Sequence, residues 1–400
     1  MSPSLSAAEA TERLGVSRAT LYAYVSRGLI RSEPAGGKTR ERRYRAEDVD
    51  ALVRRKEERR DPGKTAQGAL NWGAPVLESE LTLISGGRLY YRGHDAVRLA
   101  EDRTLEEVAG LLWTGELRAV TLPLRAQFAH LPLVPEAGLL ESFAHALTHA
   151  GARDLHASDA RPEALPGNAA RVLSLLFAVT ERACGIPAAP DLALHERLAR
   201  AWGVGNGHAD LLRRALILTA DHELNLSSFT ARCVASSGAS LHHAALGALC
   251  ALQGVRHGLS VEVCSELLDL AGRQGARRAL SGVMRRFHRP PGFGHLLYPG
   301  GDPRGRALLD HLALTAPDLP ALHVAQTLCE EVRRELGERP NVDLALALVV
   351  QVLGGPAERG VALFALGRTV GWLAHGIESA AQGRLIRPRA KYVGALPGPT

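Results

Sequence analysis

The stretch Pro290-Pro291-Gly292-Phe293-Gly294-His295, followed nine residues on by Arg304 in Gly301-Asp302-Pro303-Arg304, decides how the rest of the chain is read. A histidine flanked so densely by Gly and Pro does not belong to a helix interior. Gly292 and Gly294 let backbone approach whatever the imidazole faces. The arginine downstream offers a partner to a carboxylate or phosphate. Alone, the stretch describes a loop histidine beside an anion site. Three further segments of the same kind accompany it in a fixed order: Ala220-Asp221-His222-Glu223, Gly254-Val255-Arg256-His257-Gly258 and Pro340-Asn341-Val342-Asp343.

Around these segments the chain reads as helices. Leu105–Leu112, Leu173–Cys184, Leu211–Ala220, Ala239–Leu252, Val261–Leu270 and Leu344–Leu353 carry apolar residues at three- and four-residue steps. Gly86-Gly87, between short alternating runs in 78–93, predicts a small hairpin. The Pro/Asp/Ala-rich stretch 151–168 predicts a surface loop. His257 falls just beyond the end of the helix 239–252. Asp343 falls in the first turn of the helix 342–353, where the helix dipole favours an ionised carboxylate. On its helix Arg368 shares a face with Val361, Phe364, Ala365 and Trp372. A guanidinium on an apolar face needs an anionic partner, either a nearby Asp or Glu or a bound dicarboxylate.

The ordered set resembles the citrate synthase family over residues 73–394. Further matching pieces are GRLYYRGHD (87–95), EEVAGLLWTGEL (106–117), ADHELNLSSFTARCVAS (220–236), LFALGRTVGW (363–372) and RLIRPRAKYVG (384–394). The resemblance implies an all-α fold with a large and a small helical domain, and a homodimer that condenses acetyl-coenzyme A with oxaloacetate. It implies that His257 donates to the thioester carbonyl, Asp343 removes the methyl proton and His295 donates to the ketone oxygen. His222, Arg304, Arg368 and Arg387 would hold the substrate carboxylates, Arg387 reaching from the partner subunit. Gly292 would contact coenzyme A, which serves as a thioester co-substrate. No tightly bound cofactor and no metal are implied. Three departures stand out, one of them Leu344-Ala345-Leu346 after Asp343, where the family usually has an aromatic pair followed by a small residue. Where family members continue Gly-Gly-Ala-Asn or Gly-Leu-Ala-Asn after the histidine, this chain has Gly258-Leu259-Ser260-Val261. After His295 it has Leu296-Leu297-Tyr298-Pro299-Gly300 in place of a more polar stretch.

Charge is concentrated at the start of the chain. Residues 1–60 hold 14 Lys and Arg against 9 Asp and Glu, leaving 34 against 33 for the rest. That asymmetry marks an appended basic module. Ser6 caps a helix Ala7–Leu14 and Ser17 caps a second, Arg18–Arg27, ended by Gly28. A hairpin with Ala35-Gly36-Gly37 at its tip follows, and then a helix from Ala46 to about Arg60. The order is that of a winged helix-turn-helix, and the sequence resembles the MerR-like and excisionase-like DNA-binding domains. Ser17, Arg18, Thr20, Tyr22 and Arg27 around the second helix, with Lys38, Arg40, Arg42 and Arg43 on the wing, are residue types that contact phosphates and grooves. Duplex DNA is the expected partner of residues 1–60. Residues 61–72, with Pro62-Gly63 and Gly68, read as a linker, leaving 73–400 as the citrate synthase-like domain.

Hydrophobic residues make up 46% of the 400 and aromatics 4%, a balance that favours helix over sheet. No uninterrupted apolar run reaches the ~20 residues of a membrane span, and the first residues show no secretory leader. The five cysteines (Cys184, Cys233, Cys250, Cys264, Cys329) lack C-x-x-C spacing and read as reduced core residues of a cytoplasmic protein. Three functions fit: a citrate synthase with a DNA-binding module, a transcription regulator sensing acyl-coenzyme A or a dicarboxylate, and a 2-methylcitrate synthase using propionyl-coenzyme A.

Overall fold

A computed structural model describes residues 4–34, 42–50, 52–53, 77–123, 138–287 and 289–396. The chain divides into two compact units, residues 1–78 and 79–400. Lys38, Arg40, the hairpin tip, the linker 61–72 and the helix beyond residue 53 lie outside the described residues.

In the first unit, β1 (Ser4–Leu5) leads into α1 (Ala7–Leu14) and α2 (Arg18–Ser26), followed by β2 (Ser32–Pro34) and β3 (Arg42–Arg45). Residues 46–50 and 52–53 are helical. Ser6 and Glu9 form a reciprocal capping box on α1, and Ser17 caps α2 through the Thr20 N–H. Gly15 ends α1 at φ 60°, a left-handed position that favours glycine. The three strands pair antiparallel in the order β1-β3-β2. Ala10, Leu14, Leu21, Ile30, Tyr44 and Val49 close a small core between helices and sheet.

The second unit opens on an antiparallel sheet of β4 (Thr82–Ser85), β5 (Arg88–Tyr91) and β6 (His94–Asp95). Gly86 and Gly87 turn the β4–β5 hairpin with φ of 58° and 74°, the paired positive values of a tight hairpin turn. Helices follow: α3 (Ala96–Asp102), α4 (Leu105–Thr114), α5 (Leu139–Arg153), α6 (Leu165–Ala183), α7 (Leu194–Trp202), α8 (Ala209–Leu218), α9 (Leu226–Ser236), α10 (Leu241–Leu252), α11 (Ser260–Gln274), α12 (Ala276–Phe287), α13 (Pro303–Thr315), α14 (Pro320–Leu336), α15 (Val342–Val352) and α16 (Glu358–Gln382). The fold is all-α, with sheet among the described residues confined to the two small three-stranded elements.

α16 is the axis of this unit. It is long and apolar enough to cross a membrane, yet 94% of its most apolar window is buried among α4, α6, α8, α9 and α10. Two glycines let it approach the end of α8. A Cβ on Gly367 would come 2.2 Å from Thr219 Oγ1, and one on Gly371 would come 2.4 Å from Ala220 O. The Gly371 N–H instead donates to Ala220 O at 2.9 Å. That contact brings Arg368 of α16 against the segment carrying His222.

Three expectations change. The stretch 151–168 is not simply a loop: α5 runs to Arg153, a 3-10 turn spans Leu155–Ser158, and α6 begins at Leu165. Asp154 makes this possible, accepting from the His156 N–H and pairing bidentately with Arg171 at 2.8 Å, so its buried charge is matched. The helix expected from Ala239 starts at Leu241 because the Ser240 side chain caps it. Among the cysteines only Cys264 is buried, while Cys250 is exposed on α10.

Candidate active site

His257 lies in the turn between α10 and α11. Its Nε2 is 2.8 Å from Ser227 Oγ, which also accepts the Trp372 indole N–H at 3.0 Å. The ring meets Phe364 edge-on at 5.8 Å, and Arg368 stacks over the face of that same Phe364 at 4.8 Å. Burial, aided by the Arg368 charge, lowers His257 to about 4, so the imidazole is neutral near pH 7.

His295 lies on a loop laced to the segment that leads into Asp343, in the first turn of α15. The Asn341 N–H donates to Gly292 O at 2.8 Å and the Gly294 N–H to Arg339 O at 2.8 Å. Gly292, at φ 80°, has no room for a side chain: a Cβ would lie 2.7 Å from Cys264 Sγ and 2.8 Å from Leu344 Cβ. His295 Nδ1 accepts the Leu297 N–H at 3.2 Å. A neutral ring so held carries its proton on Nε2. Burial and the Arg304 charge lower His295 to about 4 as well.

His222 packs edge-on against His295 at 5.2 Å, with its Nε2 3.0 Å from the Tyr298 hydroxyl. Burial, then the charges of Arg304 and Arg368, hold its pKa well below the ordinary imidazole value. Glu223 next to it adopts φ 51°, a strained value for a side-chain-bearing residue. Arg304 is clamped by Asp302 through Nε at 3.0 Å and Nη2 at 2.8 Å, and Asp302 also accepts the Val342 N–H at 3.1 Å. One carboxylate thus fixes both the arginine and the start of α15.

Asp343 corrects the expectation drawn from the helix dipole. Its carboxyl is pushed up to about 6 by burial, although Arg304, a hydrogen bond from Ser260 and Arg368 all pull the other way. Desolvation by the elements packed around it outweighs the first-turn position.

Arg368 is 1% exposed. Its Nε donates to Thr219 O at 2.6 Å, while Nη2 is buried with no hydrogen-bond partner among the described residues. No carboxylate lies within ion-pair distance of it among the described residues. Burial lowers its pKa to about 10, with Asp221 opposing the shift. A guanidinium so buried favours an anionic partner.

The structure therefore brings together His222, Gly292, His295, Arg304, Asp343 and Arg368, with His257 joined through Phe364. Arg387 is exposed on the C-terminal segment beyond α16 and makes no bond to the cluster within one chain among the described residues. Ser227, Trp372, Tyr298 and Ser260 were not singled out from the sequence. Ser227 looks locally like any first-turn serine, and Tyr298 falls in a stretch whose apolar neighbours mask it. No group of three or more His, Cys, Asp or Glu among the described residues is placed to hold a metal ion.

In the first unit, Ser17 and Thr20 are engaged with each other in the cap of α2. Arg13, Arg31 and Arg45 are tied to Asp50, Asp48 and Glu33. Arg18, Tyr22, Arg27, Arg42 and Arg43 are exposed, and these four arginines form no ion pair among the described residues.

Comparison with known proteins agrees with this geometry. The family model described as "Citrate synthase, C-terminal domain" matches residues 69–389, and one described as "Helix-turn-helix domain" matches residues 4–57. A Mycobacterium tuberculosis protein (strain ATCC 25618 / H37Rv) named "Putative citrate synthase 2" is 33% identical over 338 residues, covering 78% of this chain and 88% of that one. A 2-methylcitrate synthase of Shewanella oneidensis is 30% identical over 375 residues, covering 84% of this chain and 96% of that one. The crystal structure of citrate synthase from Thermotoga maritima superposes with a TM-score of 0.69 at 30% identity, covering 82% and 96% of the two chains. A helical unit organised around a buried, unpaired arginine and three neutral histidines, matched over nearly its whole length, places the chain in the citrate synthase family, with a helix-turn-helix domain ahead of the enzyme unit.

Proposed function

We propose that this chain condenses acetyl-coenzyme A with oxaloacetate, releasing citrate and coenzyme A. The observation that carries this reading is the buried Arg368 guanidinium, without an ion-pair partner among the described residues, beside three neutral imidazoles and a carboxylate of raised pKa. Arg368, Arg304 and His222 bind the carboxylates of oxaloacetate. Asp343 takes the methyl proton of the thioester, a task suited to a base whose pKa lies near neutrality. The Ser227 hydroxyl proton has two acceptors at 2.8 Å, Asn225 Oδ1 and His257 Nε2. Turned toward His257, it leaves the ring proton on Nδ1, free to donate to the developing enolate oxygen. His295 Nε2–H polarises the ketone that the enolate carbon attacks. Hydrolysis of the resulting thioester completes the cycle. Two copies of the chain form the working enzyme, Arg387 of each completing the other's site. In support, the segment beyond α16 exposes Leu385, Tyr392, Val393 and Leu396 with nothing to cover them in one copy.

The test is a coenzyme A release assay with oxaloacetate and either acetyl- or propionyl-coenzyme A. One methylene is worth only ~1–3 kcal/mol of discrimination, and propionyl preference would move the assignment to 2-methylcitrate synthase. Absence of turnover with both would instead favour a regulator. Because Asp343 must be ionised, kcat/KM should fall tenfold per pH unit below about pH 6 and level off above it. A profile flat from pH 5 to pH 7 counts against Asp343 as the base.

The helix-turn-helix unit binds duplex DNA through Arg18, Arg27, Arg42 and Arg43, which form no ion pair among the described residues. Dimerisation would present two copies and raise apparent affinity by effective concentration. Affinity should drop steeply with added salt, as counterion release requires. Deleting residues 1–60 should abolish binding while leaving condensation intact. Equal binding by the truncated protein, or none by the full chain at low salt, would make this unit a protein contact.

A further inference from the structure

We infer that Tyr298 is a positioning residue that fixes His222 as its Nδ1–H tautomer and so makes it a hydrogen-bond donor to a carboxylate of oxaloacetate. The inference rests on the proposed role of His222 in holding that substrate and explains how a neutral imidazole performs it. His222 Nε2 lies 3.0 Å from the Tyr298 hydroxyl, and both side chains are buried. Neither group carries charge near pH 7. Burial, with Arg304 and Arg368 nearby, keeps the imidazole unprotonated, and burial raises the phenol far above its ordinary value. The proton in this contact therefore comes from one of two neutral donors. The phenol makes no other hydrogen bond among the described residues. If Nε2 held the proton, the O–H would be left buried with no acceptor, which costs more than an unused lone pair. The phenol therefore donates and Nε2 accepts. A neutral ring then carries its proton on Nδ1, and that nitrogen has no partner among the described residues. Presented to a carboxylate, Nδ1–H attracts it, whereas the other tautomer presents a lone pair and repels it.

The backbone holds this hydroxyl in place. The Tyr298 N–H donates to the His295 carbonyl at 3.0 Å, and the Tyr298 carbonyl accepts the Gly301 N–H at 2.9 Å. The second bond closes a turn with Pro299 at its second position, where a fixed φ is preorganised. Arg306 and Arg339 donate to the Gly300 carbonyl at 3.1 and 3.0 Å, anchoring the turn to α13 and to the segment before α15. The Tyr298 ring lies 4.9 Å from the His295 ring and 5.6 Å from the His222 ring, with the Arg304 guanidinium 5.7 Å from its centroid. One aromatic ring thus packs against three groups that the reading assigns to oxaloacetate, while its hydroxyl engages His222 alone among the described residues. Removing the hydroxyl and keeping the ring separates the tautomer from the packing.

The experiment compares full-length wild type with Tyr298→Phe. Histidines are isotope-labelled at the ring nitrogens and their resonances recorded near pH 7, with His222 assigned by its disappearance in His222→Gln. Wild type should show a protonated Nδ1 and an unprotonated Nε2 at His222. In Tyr298→Phe the population should shift toward the Nε2–H form. Oxaloacetate affinity, read by calorimetry, should fall about tenfold, and KM for oxaloacetate should rise by the same factor. kcat and KM for the thioester should not change. An Nε2–H tautomer in wild type, or an unaltered tautomer and affinity in the variant, overturns the proposal. A tautomer change without loss of affinity also overturns it, leaving the bond structural. The wild-type spectrum decides the tautomer even where the variant fails to fold. A wild type that binds no oxaloacetate defeats the reading of the site, and the spectra then still decide whether Tyr298 sets the tautomer of His222.

Discussion

Asp343→Ala is expected to lose ~10²–10⁴-fold in turnover, the range for a positioned general base, while the protein remains folded and at least as thermally stable as wild type. The stability half of the prediction follows from the burial that raises the carboxyl's pKa. The carboxyl is raised to about 6, so keeping it ionised at neutral pH costs the fold. Removing it relieves that cost. Turnover and melting temperature should therefore move in opposite senses or the latter not at all. Comparable turnover in a well-folded variant would sink the assignment of Asp343, and a collapse in stability would mark the carboxylate as structural.

Arg368→Leu is expected to raise KM for oxaloacetate by two to three orders of magnitude, in line with the ~2–5 kcal/mol lost when one member of a buried charge pair is truncated. The free protein should not suffer. A desolvated, unpaired guanidinium costs several kcal/mol, and its removal outweighs the ~1 kcal/mol hydrogen bond from Nε to Thr219 O. Ligand linkage gives a second measurement. Oxaloacetate should stabilise wild type against heat in proportion to its occupancy and leave the variant unmoved. A variant that melts far lower yet binds oxaloacetate normally would identify Arg368 as part of a structural network.

Much of the fold was legible locally. Helix starts at Ser6 and Ser17 follow from side-chain caps that act within three residues, and the Gly86-Gly87 turn follows from backbone freedom alone. The apolar face of Arg368 is a matter of helical periodicity, and all its predicted neighbours are buried. The ordered histidine and aspartate motifs carried the family; those of His257, His295 and Asp343 pair a reactive side chain with Gly or Pro in the same few residues.

Other features depend on neighbours distant in the chain, and no local rule reaches them. The 3-10 turn at 155–158 exists because Asp154 meets Arg171, and Cys250 is exposed because α10 turns that face outward. Ser227 acquires its place only when α9, α16 and the turn after α10 bring Trp372 and His257 to one hydroxyl. Asp343 shows the division most directly. Its sequence position determined a first-turn carboxylate that a helix dipole would keep acidic, whereas the packing of α11, α13 and α16 around it decided the reverse. Position along a helix sets a local field worth tenths to one kcal/mol, but the loss of water around a charge is a property of the assembled fold and costs several times more.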